Sequence, residues 1–313
     1  MGIDGERVGL ALGSGAARGW AHIGVIRGLE EAGIKPEIVC GSSIGSVVGA
    51  AYATGKLDRF EDWVRRLDWR QVASYFDVTL RGGIIRARKV FDAMAEEVPD
   101  QPIENLALPF AAVATDLTSG HEVWFRDGSL YDALRASVAL PGFVTPAKVD
   151  GRWLVDGGLV NPVPVSLCRA LGADTVIAVD LNTTLVGRRA TGSRRSDIGG
   201  NVARASRKPR PGSVQAVLQD LATELRERLG RDETVERDAP PSIYEVIANS
   251  VNIMQVRITR SRMSGDPADL LVAPQLGDFA LLDFDRAAEA ITLGRRAVHQ
   301  ALRESPYYHE PKG

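Results

Sequence analysis

Two glycine-rich segments, each following an apolar run, hold the residues best suited to chemistry: Gly13-Ser14-Gly15-Ala16-Ala17-Arg18-Gly19 and Gly41-Ser42-Ser43-Ile44-Gly45. The second has the G-x-S-x-G spacing of a serine nucleophile held on a tight turn between a strand and a helix. Its glycines let the backbone turn and leave the Ser43 hydroxyl uncrowded. The same residues also suit an ordinary turn in which Ser42 or Ser43 caps the helix, and the first segment weighs toward chemistry. Attack on an ester carbonyl needs backbone N–H groups aimed at the oxyanion. The Gly13 to Gly19 loop lies between the strand-like run Val8-Gly9-Leu10-Ala11-Leu12 and an amphipathic helix beginning at Trp20, where N–H groups lack partners and anions are stabilised. A dinucleotide loop is the competing reading of Gly13-x-Gly15. Against it stand the spacing to Gly19, one residue too long, and the next strand, Glu37-Ile38-Val39-Cys40, which ends in the serine turn and not in a ribose-binding acid, so it is kept only as the minor alternative.

A third element, Asp156-Gly157-Gly158, follows the short strand Arg152-Trp153-Leu154-Val155, whose end presents the carboxylate at a sheet edge. Asp-Gly is a common hairpin turn. Pro162 and Pro164 downstream cannot serve in a paired central strand, however. The hairpin role suits Asp150-Gly151 better, between Ala147-Lys148-Val149 and Arg152-Trp153-Leu154. Asp156 is left for another role.

With these three motifs in order, and with the segment Arg135-Ala136-Ser137-Val138-Ala139-Leu140-Pro141-Gly142-Phe143 between them, the chain resembles the bacterial patatin-like phospholipase family. The resemblance covers about residues 6–182 closely and about 242–302 more loosely. It implies a three-layer α/β/α sandwich with a mostly parallel central sheet, and an esterase or lipid acyl hydrolase with a Ser-Asp dyad. Ser43 would be the nucleophile and Asp156 its base, with an oxyanion hole drawn from Gly13, Ser14, Gly15 and Ala16, centred on the N–H groups around Gly15 and Ala16. Arg18, Gly19, Gly41, Gly45, Gly157 and Gly158 would support the site. The family usually has glycine where this chain has Ser14 and Ala16. Both are small, and a backbone donor needs no particular side chain, so the hole is expected to survive with altered loop geometry.

The histidines test the dyad independently, since a Ser-His-Asp site needs a well-placed imidazole and the chain has four. His22 reads as a partly buried helix residue with a local hydrogen bond, His121 as a surface residue in a β-ribbon, His299 as part of the terminal helix, and His309 as part of a tail. None comes with a motif. An ordinary Asp titrates near ~3.9 and is a poor base for a hydroxyl, so the fold must hold Asp156 near Ser43 in a cleft with little water, where desolvation favours taking a proton. Arg18 is read as a support that holds the loop rigid.

The elements that must position these residues alternate as strands and helices. Pro109 to Thr115 and Asp174 to Asp180 read as buried strands, the second after a helix near Val165 to Leu171, and the crevice at the strand carboxyl ends is where the serine turn and the loop converge. Trp63 and Trp69 are read as core or cap packing and not as a lipid clamp. Ser242 and Glu245 form a capping box for a helix toward Arg262, Asp269 to Pro274 resembles a strand, and a last helix aligns Ala287, Ala290, Ile291, Gly294, Ala297, Val298 and Ala301 on one face. Gly294 there would permit close packing.

Composition fits one α/β domain over residues 1–313: 44% hydrophobic, 25% charged, 32 glycines and a net charge of −2. The two thiols, Cys40 and Cys168, read as small core residues and not as a disulfide or metal site. The N-terminus lacks an apolar signal core and no run is long enough to span a bilayer, so a cytoplasmic enzyme is expected, with no metal and no cofactor. Residues 186–213 concentrate Arg188, Arg189, Arg194, Arg195, Arg204, Arg207, Lys208 and Arg210 against the single acid Asp197. This composition reads as a flexible basic linker, with peripheral contact to an anionic membrane as the sharper alternative. The amphipathic helix over about 214–230 either packs on the core or covers the active site. A lipid or other ester is the expected partner and nucleic acid is not. Three function classes remain: a serine acyl hydrolase on lipid esters, a thioesterase or peptidase with the same dyad, and a regulatory protein with little turnover.

Overall fold

The computed structural model describes residues 6–68, 70–72, 77–78, 85–86, 88–183 and 243–305. The 186–213 segment, the 214–230 helix, Trp69, Ser242 and His309 lie outside these residues. Strands β1 (Val8–Leu12), β2 (Ile38–Ser42) and β9 (Thr175–Val179) are buried along their whole length, as apolar runs without alternation must be when helices cover both faces of a sheet. β1 lies between β2 and β9 and is parallel to both. Beyond β9 comes β10 (Leu270–Val272), and beyond β2 comes β5 (Phe110–Asp116), both again parallel to their neighbours. β8 (Arg152–Asp156) pairs with β5 and β7 (Ala147–Val149) with β8, both in the antiparallel sense. A small separate hairpin joins β3 (Asp77–Val78) to β4 (Ile85–Arg86).

Side chains of the central strands alternate between two cores. Leu10 and Leu12 face a cluster shared with α1 (Ala21–Glu31), α2 (Ile44–Ala53) and α8 (Ala287–Glu304), whereas Ala11, Ile38 and Cys40 face one shared with α6 (Val165–Ala170). The architecture is thus three layers with a mostly parallel sheet in the middle. Other helices on the chain path are α3 (Leu57–Arg66), α4 (Arg88–Glu97), α5 (Leu130–Ser137) and α7 (Ile243–Gly265). Among the described residues no helix is long and apolar enough to cross a membrane. Cys40 and Cys168 are both buried, and neither is in a disulfide.

The register of β5 explains the site. Its Ala112 and Val113 pair with Gly41 and Ser42 of β2 on one side and with Phe125 and Trp124 of β6 (Glu122–Phe125) on the other. Ala114 and Thr115 pair with β6 and also with Asp156 and Val155 of β8. A strand has only two edges, so β8 occupies the same edge as β2. The two strands run toward each other and end one register position apart, Ser42 beside Val113 and Asp156 beside Ala114. Asp156 therefore ends a strand head-on to β2, inside the sheet and not at its outer edge. The β7–β8 hairpin turns at Asp150 (φ 49°) and Gly151 (φ 79°), two successive positive-φ residues that Asp-Gly tolerates.

Helices α1 and α8 touch backbone to backbone. A Cβ on Gly24 would lie 1.8 Å from the Ile291 carbonyl oxygen, and one on Gly294 would lie 2.0 Å from that of Ala21. Neither neighbour can move without displacing a helix. Gly24→Ala is therefore expected to destabilise the fold by about 3 kcal/mol or more, at or beyond the upper end for overpacking. An alanine at Gly55, where a Cβ would meet nothing within 4 Å, should cost only the backbone strain of its positive φ, about 1 kcal/mol. Urea denaturation of the two variants checks this, and similar losses would contradict the close approach.

Candidate active site

β2 must leave the sheet at Ser42 because β8 takes the next position on that edge. Ser43 makes the departure with φ 55° and ψ −129°, a left-handed conformation that strains any side chain. As N-cap of α2 its side chain makes no capping bond. The backbone is held by three bonds: Ser43 N–H donates to Ser137 Oγ at 2.9 Å, and the Ser43 carbonyl accepts from Ser46 N at 2.9 Å and from Ser46 Oγ at 2.6 Å. The hydroxyl is thereby freed to donate to Asp156 Oδ2 at 2.5 Å.

Asp156 is fixed on every side. Its N–H donates to the Ala139 carbonyl at 3.1 Å, its carbonyl accepts from Thr115 Oγ1 at 2.8 Å, and Oδ1 accepts from Gly158 N at 2.7 Å. The carboxyl is fully buried, and this desolvation raises its pKa to about 7, against the smaller lowering by the Ser43 hydroxyl and the Gly158 N–H. The short segment at the end of α5 thus holds both residues, Ser43 through Ser137 Oγ and Asp156 through Ala139 O. Sequence reasoning placed this segment among the motifs but gave it no role.

In the Gly13 to Gly19 loop, the N–H of Gly13 donates to Val179 O at 3.0 Å and that of Ser14 to Pro162 O at 2.9 Å. These two expected oxyanion donors are therefore taken up in joining the loop to β9 and to the Asn161-Pro162 stretch. The N–H groups of Gly15 and Ala16 meet no acceptor among the described residues. Ala16 has φ 48°, a backbone conformation that glycine would adopt without strain and that an alanine adopts at a cost. The loop continues into a 3₁₀ turn over Ala16–Trp20 before α1, closed by Arg18 N to Gly15 O.

Arg18 is 2% exposed. Its Nε donates to Gly15 O at 3.1 Å and its Nη2 to Asn252 Oδ1 at 3.0 Å. Burial lowers its pKa to about 10 while nearby Asp180 raises it, so the guanidinium is charged at neutral pH. The supporting glycines are close approaches: a Cβ at Gly45 would meet Leu12 O at 2.2 Å, one at Gly157 Val113 O at 2.2 Å, and those at Gly19 and Gly41 would strike α2.

His22 is fully buried. Its Nε2 lies 2.7 Å from Gly13 O, which requires the neutral Nε2–H tautomer as donor, and burial lowers its pKa to about 4. It anchors the loop and does not touch Ser43 or Asp156. His121 is exposed between β5 and β6, and His299 on α8 faces Glu31 at 3.5 Å.

Ser43 opens on an apolar cavity of about 130 Å³, walled by Trp20, Trp63, Met94, Leu140, Phe143 and Phe284 among others. Trp63 packs on Phe60 with ring centroids 5.5 Å apart and also faces this cavity. It is therefore both core packing and wall, a second role that its position on a charged helix did not reveal.

The family model described as "Patatin-like phospholipase" matches residues 10–169. An uncharacterized NTE family protein of Mycobacterium tuberculosis is 37% identical over 333 residues, covering 96% of this chain and 92% of that protein. The human patatin-like phospholipase domain-containing protein 6 is 36% identical over 189 residues, which cover 58% of this chain and 14% of that protein. Among solved structures, VipD from Legionella pneumophila matches with a TM-score of 0.45 at 13% identity, covering 96% of this chain and 67% of that one.

Proposed function

The chain belongs to the patatin-like phospholipase family, and from that premise we propose that it is a serine acyl hydrolase cleaving carboxylic esters of lipids through an acyl-Ser43 intermediate. The observation that carries this reading is the 2.5 Å bond from Ser43 Oγ to Asp156 Oδ2 beside an apolar cavity. Ser43 attacks the ester carbonyl as Asp156 takes its proton. The tetrahedral oxyanion is held by the N–H groups of Gly15 and Ala16, and Asp156 returns the proton to the departing alcohol. Water then attacks the acyl-enzyme with the same carboxylate as base. The cavity walls favour an acyl chain over a polar acyl group, which is why a lipid ester is preferred here over a peptide.

Only the ionised carboxyl can accept the serine proton. With its pKa near 7, kcat/KM on a short-chain nitrophenyl ester should rise about tenfold per pH unit below that value and level off above it. Turnover of that ester beside a panel of phospholipids and lysophospholipids tests the reading. Hydrolysis with this pH profile is the expected result; no ester turnover, or a rate flat from pH 5 to 8, would overturn it.

A further inference from the structure

A backbone oxyanion hole works only if its peptide units are turned the right way, and something must hold them so. Beyond β9 the chain places two buried polar side chains, Asp180 and Asn182, against the Gly13 to Gly19 loop. Asp180 Oδ1 accepts from Asn182 N at 2.8 Å, fixing the local turn. Asn182 Nδ2 donates to Ser14 O at 3.2 Å and to Gln255 Oε1 at 3.1 Å. A carbonyl only accepts, so the atom facing Ser14 O must be the amide nitrogen, and its second hydrogen then requires the oxygen of Gln255.

The consequence follows from the planarity of the peptide. In a trans unit the C=O and N–H point in opposite directions, so a bond that draws Ser14 O toward Asn182 turns Gly15 N–H the other way. Arg18 does the same for the next unit, since its Nε and its own N–H both bind Gly15 O, which sets Ala16 N–H. Arg18 belongs to the loop, whereas Asn182 lies 168 residues away in the chain and outside the family-model match. Gln255 on α7 completes the brace: a Cβ at Gly158 would lie 2.4 Å from Gln255 Nε2 and 2.9 Å from Asp156 Oδ1, so Gly158 makes room for this amide next to the carboxylate.

We propose that Asn182 is a positioning residue of the oxyanion hole, orienting the Ser14–Gly15 peptide so that Gly15 N–H faces the oxygen that becomes negative. This rests on the reading of Ser43 as nucleophile and of the loop as its hole. The role is exerted on the transition state and not on the bound ester.

Asn182→Asp keeps the shape but replaces the donor with an acceptor. On a short nitrophenyl ester its kcat should fall about tenfold to a hundredfold, somewhat less than removal of an oxyanion donor outright, while KM stays within about twofold. An alkyl trifluoromethyl ketone, whose Ser43 hemiketal carries the oxyanion, should inhibit more weakly by a similar factor, whereas a competing alkanol of the same length should bind as before. Asn182→Ser, which retains a hydroxyl donor, should keep more of the rate. If Asn182→Asp does not fold, Asn182→Ser and Gln255→Met carry the test, each with a smaller loss of kcat at constant KM. Unchanged kcat, or equal weakening of ketone and alkanol together with a lower melting temperature, overturns the inference. Ser43→Ala separates the two levels. If that variant hydrolyses the ester at a rate near that of wild type, the dyad reading falls and takes the inference with it. If it is inactive while Asn182→Asp matches wild type, only the role of Asn182 is lost.

Discussion

Replacing Ser43 with alanine should lower ester hydrolysis by about 10⁴-fold or more, the scale seen when a serine nucleophile is removed from an acyl-transfer site, and should abolish covalent labelling by a fluorophosphonate. Residual turnover would come from the cavity and the loop alone. The backbone adds a second expectation. Ser43 sits at φ 55° and ψ −129°, and a non-glycine residue held in such a region carries on the order of 1–3 kcal/mol of strain. Ser43→Gly should relieve it where Ser43→Ala cannot. Both variants should be inactive, but the glycine variant should melt at the higher temperature, since both lose the same hydroxyl and differ chiefly in backbone freedom. Labelling that persists on another residue would sink the nucleophile assignment, and an alanine variant as stable as the glycine variant would remove the strain argument.

Much of the frame was readable because local chemistry dictated it. Unbroken apolar runs such as Val8 to Leu12 and Thr175 to Val179 could only be buried parallel strands, Asp150-Gly151 could close a hairpin, and Gly294 on an otherwise apolar face pointed to a close helix contact that Gly24 completes. The prolines after Asp156 freed that residue from a hairpin, and the structure brings its carboxylate to Ser43. What local pattern did not encode was partnership at a distance. Nothing in Arg152 to Asp156 says that this strand shares an edge of β5 with β2, yet that pairing is what makes Ser43 and Asp156 meet. The same holds for Gly13 and Ser14, whose N–H groups go to Val179 and Pro162, residues more than a hundred positions away. Ser137, a small polar residue in an apolar segment, carried a signal without a role. Asn182 lies in the polar stretch Asp180-Leu181-Asn182-Thr183-Thr184, and nothing in that pattern says that its amide meets Ser14 O on the loop and Gln255 on α7.

Asp156→Asn should remove the base and still stabilise the protein, because the same burial that makes the carboxylate basic opposes its charge. In the unfolded chain this group titrates near its ordinary value of about 3.9; in the fold its pKa is about 7. Below about pH 4 the carboxyl is protonated in both states and exerts no penalty. As pH rises from there the unfolded chain releases the proton while the folded chain keeps it, so the favourable contribution is lost progressively and is gone once pH passes 7. The difference of about three pH units corresponds to roughly 4 kcal/mol at pH 8.5. Asparagine has the same shape, can accept the Gly158 N–H through its carbonyl oxygen, and carries no charge. Its variant should therefore unfold at a higher urea concentration than wild type at pH 8.5, by up to that amount, and at nearly the same concentration at pH 4. Ester turnover should fall by about 10³-fold or more, since loss of the base also loses the group that activates the nucleophile. A variant less stable than wild type at pH 8.5, or one retaining a tenth of the activity, would show that Asp156 is held for structure and not for proton transfer.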